Sequence, residues 1–486
     1  MRRKGNDAAL YKRDRVCKKI IEYGILKLII FSPLPAASVY EWSILVIQLT
    51  VLVMMAAYLI MREKPENNEL LSRAVKWPGY VFVGLFVFIF IQIIPSPNFL
   101  VKIFSPSIYT FRDLYSFDFS AIKFMSFSLM PSHTLREGLE LLSYFLLGFL
   151  IIKSITRRKQ IMRIFSLLVI MGIFEAFYGM LELYNRNPRI LFYKKIYNLD
   201  AVTGTFVNRN HLSGYLEMII PLAIGLIIAR ISLFSLARMK WREKLIRLSE
   251  RGLSTNMLIT AGIIVMSLAI ILSKSRSGVF LLIFIFILFF ELTVLYFGMV
   301  RFQQKWIKNF LMFSFLIIII ISFYIGIEAT IERFAMDKLL HGGRPIYWSN
   351  VTSIVGDFPL FGTGLGTFAS VYPAYEENRM PGHLSHAHND FLEYLSELGV
   401  VGMILLFGGI LFMGASSFLI WRVRRHPEVK GLAMGGIVAI VVILINSITD
   451  FNLHIPANMV LFTVVFSVTA VTAFYKSSEK SEKSME

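Results

Sequence analysis

A chain of 486 residues that is 56% hydrophobic and 17% charged is too apolar for a soluble globular domain. Its net charge of +18 is gathered in short basic stretches between apolar runs, a distribution that orients helices in a bilayer and meets anionic headgroups, not one that tracks nucleic acid. The single cysteine, Cys17, excludes an intrachain disulfide and a cysteine metal site; it stands in a charged amino-terminal tail, where an inert thiol is expected.

Apolar runs of about 17 to 23 residues recur, each enough to carry a helix across a ~30 Å hydrocarbon core. In chain order they predict about twelve spans, at 20–37, 43–61, 79–95, 137–153, 164–184, 211–229, 257–273, 278–299, 310–327, 391–420, 432–448 and 459–475. Glu22 and Lys27 interrupt the first, and Pro33 and Pro35 sit near its end. The basic stretch before it resembles the start of a signal peptide, but no small-x-small cleavage site follows, so a retained helix is expected. Span 391–420 is too long for one perpendicular crossing, and its first turns are expected to stand clear of the bilayer.

Positive charge is kept on the cytoplasmic side when both termini lie there; the reverse would put Arg238, Lys240, Arg242, Lys244, Arg247 and Arg251 outside. The loops that then face outwards, 96–136, 185–210 and 328–390, are the long ones. The expected architecture is an all-α polytopic membrane protein, one integral membrane domain over 1–486. It would carry one large periplasmic loop at 328–390 with short helices, and a disordered cytoplasmic tail at 476–486.

Polar residues collect at the outward ends of these spans. Before span six, Gly204-Thr-Phe-Val-Asn-Arg-Asn-His-Leu-Ser-Gly214 offers Asn208, Asn210 and His211 at a helix start, either as caps or as site residues. Between spans seven and eight, Ser273-Lys-Ser-Arg-Ser-Gly278 places Arg276 at the water boundary. It reads as an interfacial anchor or, with Ser275 and Ser277 beside a helix N-terminus, as a phosphate cradle. In the long loop Gly342-Gly-Arg-Pro345 opens a helix with an apolar stripe of Ile346, Val351, Ile354 and Val355, so Arg344 sits at an amino end suited to an anion. The glycines of Asp357-Phe-Pro-Leu-Phe-Gly-Thr-Gly-Leu-Gly-Thr-Phe368 follow no strand and read as a turn-rich cap, not a nucleotide fingerprint. Glu175 and Glu217 are intramembrane acids whose partners the sequence does not reveal.

Most distinctive is Pro381-Gly-His-Leu-Ser-His-Ala-His-Asn-Asp-Phe-Leu-Glu-Tyr-Leu-Ser-Glu-Leu-Gly-Val-Val-Gly402. Asp390 with Glu393 reads as a capping box, and Phe391, Tyr394, Leu395 and Leu398 form the apolar face of the helix that follows. His388 therefore perches at a helix mouth, wet on one side, a place that suits a group titrating near neutrality; it reads as a structural cap or as a catalytic base. His383, His386 and His388 with Asp390 or His454 contain enough donors for zinc, but His-x-x-His-x-His is not a specific ligand spacing and no metal is expected. Asp450 and His454 occupy a short outward loop, 449–458.

Four motifs in order resemble the O-antigen ligase and polymerase superfamily: Gly-Thr-Phe-x-Asn-x-Asn-His from Gly204, Ser-Arg-Ser-Gly from Ser275, Gly-Arg-x-x-x-Trp from Gly343 with Asp-x-Pro-x-x-Gly-x-Gly from Asp357, and His-Asn-x9-Gly-x-x-Gly from His388. The similarity runs from about 200 to 460. It implies a GT-C type inverting glycosyltransferase of the bacterial inner membrane that takes a glycan from an undecaprenyl-diphosphate donor at the periplasmic face, with no cofactor and no obligatory metal. By the same resemblance His388 activates the acceptor hydroxyl and Arg276 and Arg344 hold the diphosphate; Asn389, His386, Asn210, His211 and Asp450 are further candidates for binding substrate. The form of the last motif favours a ligase acting on lipid A-core over an O-antigen or exopolysaccharide polymerase or a protein-glycosylating member. A solute transporter, with Glu175 and Glu217 lining a path, is the competing class; gathering of the polar residues at one face argues for chemistry on a lipid-borne substrate instead.

Overall fold

A computed structural model describes residues 2–62, 69–115, 123–185, 187–230, 251–297, 316, 344–376, 384–424 and 426–475. Their helices are α1 (Arg2–Phe31), α2 (Glu41–Ile60), α3 (Glu69–Ile93), α4 (Asn98–Phe104), α5 (Pro106–Tyr115), α6 (Pro131–Ser154), α7 (Arg158–Leu183) and α8 (Arg209–Arg230). They continue as α9 (Arg251–Leu272), α10 (Arg276–Phe297), α11 (Arg344–Asp357), α12 (Phe368–Val371), α13 (Asp390–Val423), α14 (Pro427–Asn446) and α15 (Pro456–Phe474). Every expected span but 310–327 falls on one of them. That stretch, apart from Leu316, lies outside the described residues, as do the arginines and lysines from 238 to 247 expected on the cytoplasmic side, His383 and the 476–486 tail. Among the described residues nine helices are long and apolar enough to cross a membrane, which makes the chain a multi-pass membrane protein; α1 and α6, which carry several charges, are not among the nine.

Boundaries move where proline or burial decides. The first helix begins at Arg2 and stops at Phe31, six residues before the expected end, because Pro33 and Pro35 cannot continue it. Cys17 is not in a loose tail but on the buried face of α1. The strict all-α expectation gains two small antiparallel pairs, β1 (Ser96–Pro97) with β2 (Phe124–Met125) and β3 (Arg189–Ile190) with β4 (Tyr193–Lys194).

The bundle is built around α8 and α15, whose apolar windows are 94% and 89% buried. A helix apolar all round belongs inside, and α8 packs against α7, α9, α10, α14 and α15. Its contact with α14 is backbone to backbone: a Cβ on Gly435 would stand 2.6 Å from the Pro221 carbonyl.

Two expected loops fold on each other at one end of this bundle. Val351 and Ile354 of α11 are buried with Val101, Ile108, Met125, Phe127, Phe358 and Ala387, forming an apolar cluster separate from the main core. Ile346, expected on the same stripe, is instead exposed. The glycine-rich turn then inserts into a break in α13. Gly399 adopts φ 61°, ψ −174°, so Asp390–Val423 is two helical pieces, and Val400 N–H donates to the Pro359 carbonyl at 2.8 Å. In return Thr363 and Gly364 N–H groups donate to the carbonyls of Ser396 and Glu397, each at 2.9 Å. Carbonyls freed by the break are thereby satisfied inside the protein, as irregular backbone at such a place requires.

Candidate active site

The N-termini of α8, α10, α13 and α15 and the C-termini of α9 and α14 come together at one end of the bundle, and the polar motifs come with them. His388, the residue before the cap of α13, is held in the left-handed region at φ 51°, a conformation a non-glycine residue keeps only when its surroundings impose it. Its Nδ1 lies 3.2 Å from Asp450 Oδ1, and Phe451 N–H donates to the same oxygen at 3.0 Å. His211 Nε2 approaches Asp450 Oδ1 from the other side at 3.9 Å. One buried carboxylate thus stands between two imidazoles from elements far apart in the chain. The ring of Phe451 packs edge-on to both, with centroid separations of 4.9 Å to His388 and 4.6 Å to His211.

The turn that carries Asp450 is itself pinned. Asn446 donates to Glu217 Oε2 at 2.7 Å, Asn452 to Asn446 at 3.0 Å, and Asn458 to Asn452 at 2.8 Å and to the His211 carbonyl at 3.1 Å. This chain supplies the partner of Glu217. Glu175 has one too: Thr205 of the Gly-Thr-Phe motif donates its N–H to Glu175 Oε2 at 2.8 Å, while its hydroxyl reaches the Pro33 carbonyl at 2.7 Å. Both intramembrane acids tie helices to the loops beside them.

The capping box expected from Asp390 and Glu393 does not form. Asn389 is the cap, its side-chain oxygen accepting from Leu392 N–H at 3.1 Å. Asp390, one residue inside, accepts from His454 Nδ1 at 2.6 Å and from Leu453 N–H at 3.0 Å. Glu393 reaches back past the cap, to Ala387 N–H at 2.7 Å and to His386 Nδ1 at 2.7 Å. His454 is consequently enclosed by carboxylates. Burial alone would lower its pKa, but Glu393, Asp390 and Glu397 together push it up to about 10 when no ion is bound, so a cation at Nε2 would have to displace a proton. Its ring also stacks on Tyr394 at 4.3 Å.

Arg276 opens α10 at this same end. Ser275 Oγ accepts from Gly278 N–H at 3.3 Å as the cap of α10, and Ser273 Oγ meets Ser213 Oγ, two residues from His211, at 2.9 Å. Arg344 opens α11, one turn before Trp348, whose Nε1–H donates 3.1 Å to the Ala387 carbonyl next to His388. Asn210 lies in the first turn of α8 with its N–H on Asn208 Oδ1 at 2.9 Å. Missed by sequence reasoning are the roles of Glu393, as a clasp on the histidine segment six and seven residues before it, and of Phe451, as the shared ring beside imidazoles 63 or more residues away; a capping-box reading hid the first, and neither spacing nor composition singles out the second. The usable signal was the pile of charges and imidazoles in 386–397 and 450–454, more than helix caps demand.

The residues around this end also carry the match to known proteins. A family model described as O-antigen ligase matches residues 261–407, a segment that includes Arg276, Arg344, His386, His388 and Asn389 and stops before Asp450 and His454. No curated protein matches the chain. That match supports the resemblance to the O-antigen ligase and polymerase superfamily over residues 261–407, less than half of the chain.

Proposed function

We propose that the chain is an inverting glycosyltransferase of the bacterial inner membrane that moves a glycan from undecaprenyl diphosphate to an acceptor hydroxyl at the periplasmic face, with lipid A-core as acceptor. The observation that carries this is the His388–Asp450 pair: Nδ1 is engaged by a buried carboxylate at 3.2 Å, leaving Nε2 of a partly exposed ring for a hydroxyl. In the step this arrangement supports, the acceptor O–H gives its proton to His388 as its oxygen bonds to the anomeric carbon. The bond from that carbon to the diphosphate breaks with inversion, and the diphosphate leaves on its lipid. A sugar hydroxyl is a poor nucleophile, and a positioned base contributes roughly 10²- to 10⁴-fold. Charge gathering on the leaving diphosphate is assigned to Arg276 and Arg344, which are the first residues of α10 and α11, where the helix dipole favours an anion.

The test is transfer by purified protein supplied with a polyprenyl-diphosphate glycan and, in separate arms, lipid A-core, free glycan or peptide. We expect product with lipid A-core; product only with free glycan would make the chain a polymerase with the same donor and base. In His388→Ala, transfer falls by roughly 10²-fold or more while the protein still accumulates in the membrane. Wild-type turnover in that variant removes His388 from the reaction, and uptake of labelled solute without transfer would make the chain a carrier.

A further inference from the structure

Beside the base, three elements bring metal-type donors to one point. His386 Nδ1, from the segment before α13, lies 2.7 Å from Glu393 Oε1 in the first turns of α13; His454 Nε2, from the turn before α15, lies 3.6 Å from the same oxygen. All three ligand atoms fall within 4.8 Å of one another, the grouping of this kind found among the described residues.

Each donor is aimed by a second contact. Asp390 Oδ1 accepts a hydrogen bond from His454 Nδ1 at 2.6 Å, which turns Nε2 towards Glu393. Ala387 N–H occupies Glu393 Oε2 at 2.7 Å and leaves Oε1 for the imidazoles. Phe451 fixes the His386 ring by stacking on it at 4.2 Å, with 14° between the planes. A carboxylate behind a ligating histidine is the usual outer shell of a bound cation.

His454 Nε2 is buried and makes no hydrogen bond. A separation of 3.6 Å to Glu393 is too long for one. Yet ligands of a tetrahedral ion with bonds of ~2.0–2.1 Å stand about 3.4 Å apart, near the His454 pair and wider than the His386 pair, so the His386 ring need only turn outward slightly. Two imidazoles and one carboxylate suit a borderline divalent cation rather than calcium or magnesium, which take oxygen ligands.

We propose that His386, Glu393 and His454 form a binding site for a divalent transition-metal cation of the zinc type, which pins the His388 segment to α13 and to the turn before α15. The ion takes no part in glycan transfer, and the site stands whether or not that reading of the chain holds.

The test uses full-length, tag-free protein, stripped with chelator, dialysed, and titrated with Zn²⁺ alone. Bound metal is counted by elemental analysis and thermal unfolding is followed in parallel. One equivalent per chain with a raised unfolding temperature is expected for the wild type and for His133→Ala, which alters a histidine outside the cluster. His386→Ala and Glu393→Gln lose the bound ion and the thermal gain, while their metal-free unfolding, compared with that of the metal-free wild type, shows that they are folded. A folded wild type that retains no equivalent, or a folded His386→Ala that binds as much as wild type, overturns the site.

Discussion

Asp450 is the side chain on which the geometry of the proposed base turns, because Nδ1 of His388 has no other hydrogen-bond partner among the described contacts. An imidazole free to rotate presents its basic nitrogen only part of the time. Asp450→Asn should therefore lower kcat by about tenfold or more, a share of what a positioned base supplies, with the KM for the diphosphate donor little changed. A rise in donor KM with kcat intact would instead place Asp450 against substrate, the role first expected for it. His388 itself was legible from its place before a helix; Asp450 as its orienter was not, since 62 residues and two helices separate them. Asn389 was named for its motif position, and its capping of α13 is the part that the structure adds.

At the scale of the element, α13 is the informative helix. Its apolar length predicted an over-long span, and the excess is explained by the break at Gly399, where a Cβ would stand 2.3 Å from the Leu360 carbonyl. With φ at 61° and ψ at −174°, this conformation is open to glycine and strained for any other residue. Gly399→Ala should destabilise the protein by about 1–3 kcal/mol or more, seen as a lower unfolding temperature. Gly414, in the same helix with nothing within 4 Å of its would-be Cβ, makes the control: Gly414→Ala is expected to be neutral or to stabilise by about 0.5–1 kcal/mol. Equal effects would mean that the break is not a constraint of the fold. The glycine was visible in the motif, but its reason was not, because the partner backbone, 359–364, lies in a different loop.

Across the whole molecule, the bundle depends on α8 and α14 touching through glycine. Gly435→Leu would drive a side chain into the Pro221 carbonyl, 2.6 Å from the Cβ position, and should sharply reduce accumulation in the membrane. Normal accumulation with an unchanged unfolding temperature would show that the two helices have room to separate. The multi-pass helical character and the residue types assembled near the helix ends were determined by the sequence by itself, because a hydrocarbon core imposes length and apolarity on each span separately. Which ends meet was decided only by the tertiary structure. One carboxylate between His388 and His211, the approach of His454 to Glu393, and two loops sharing a core with Ala387 all arise from packing between distant segments. Local patterns report what a segment needs from its surroundings, whereas a site exists only where several such needs are met at one place.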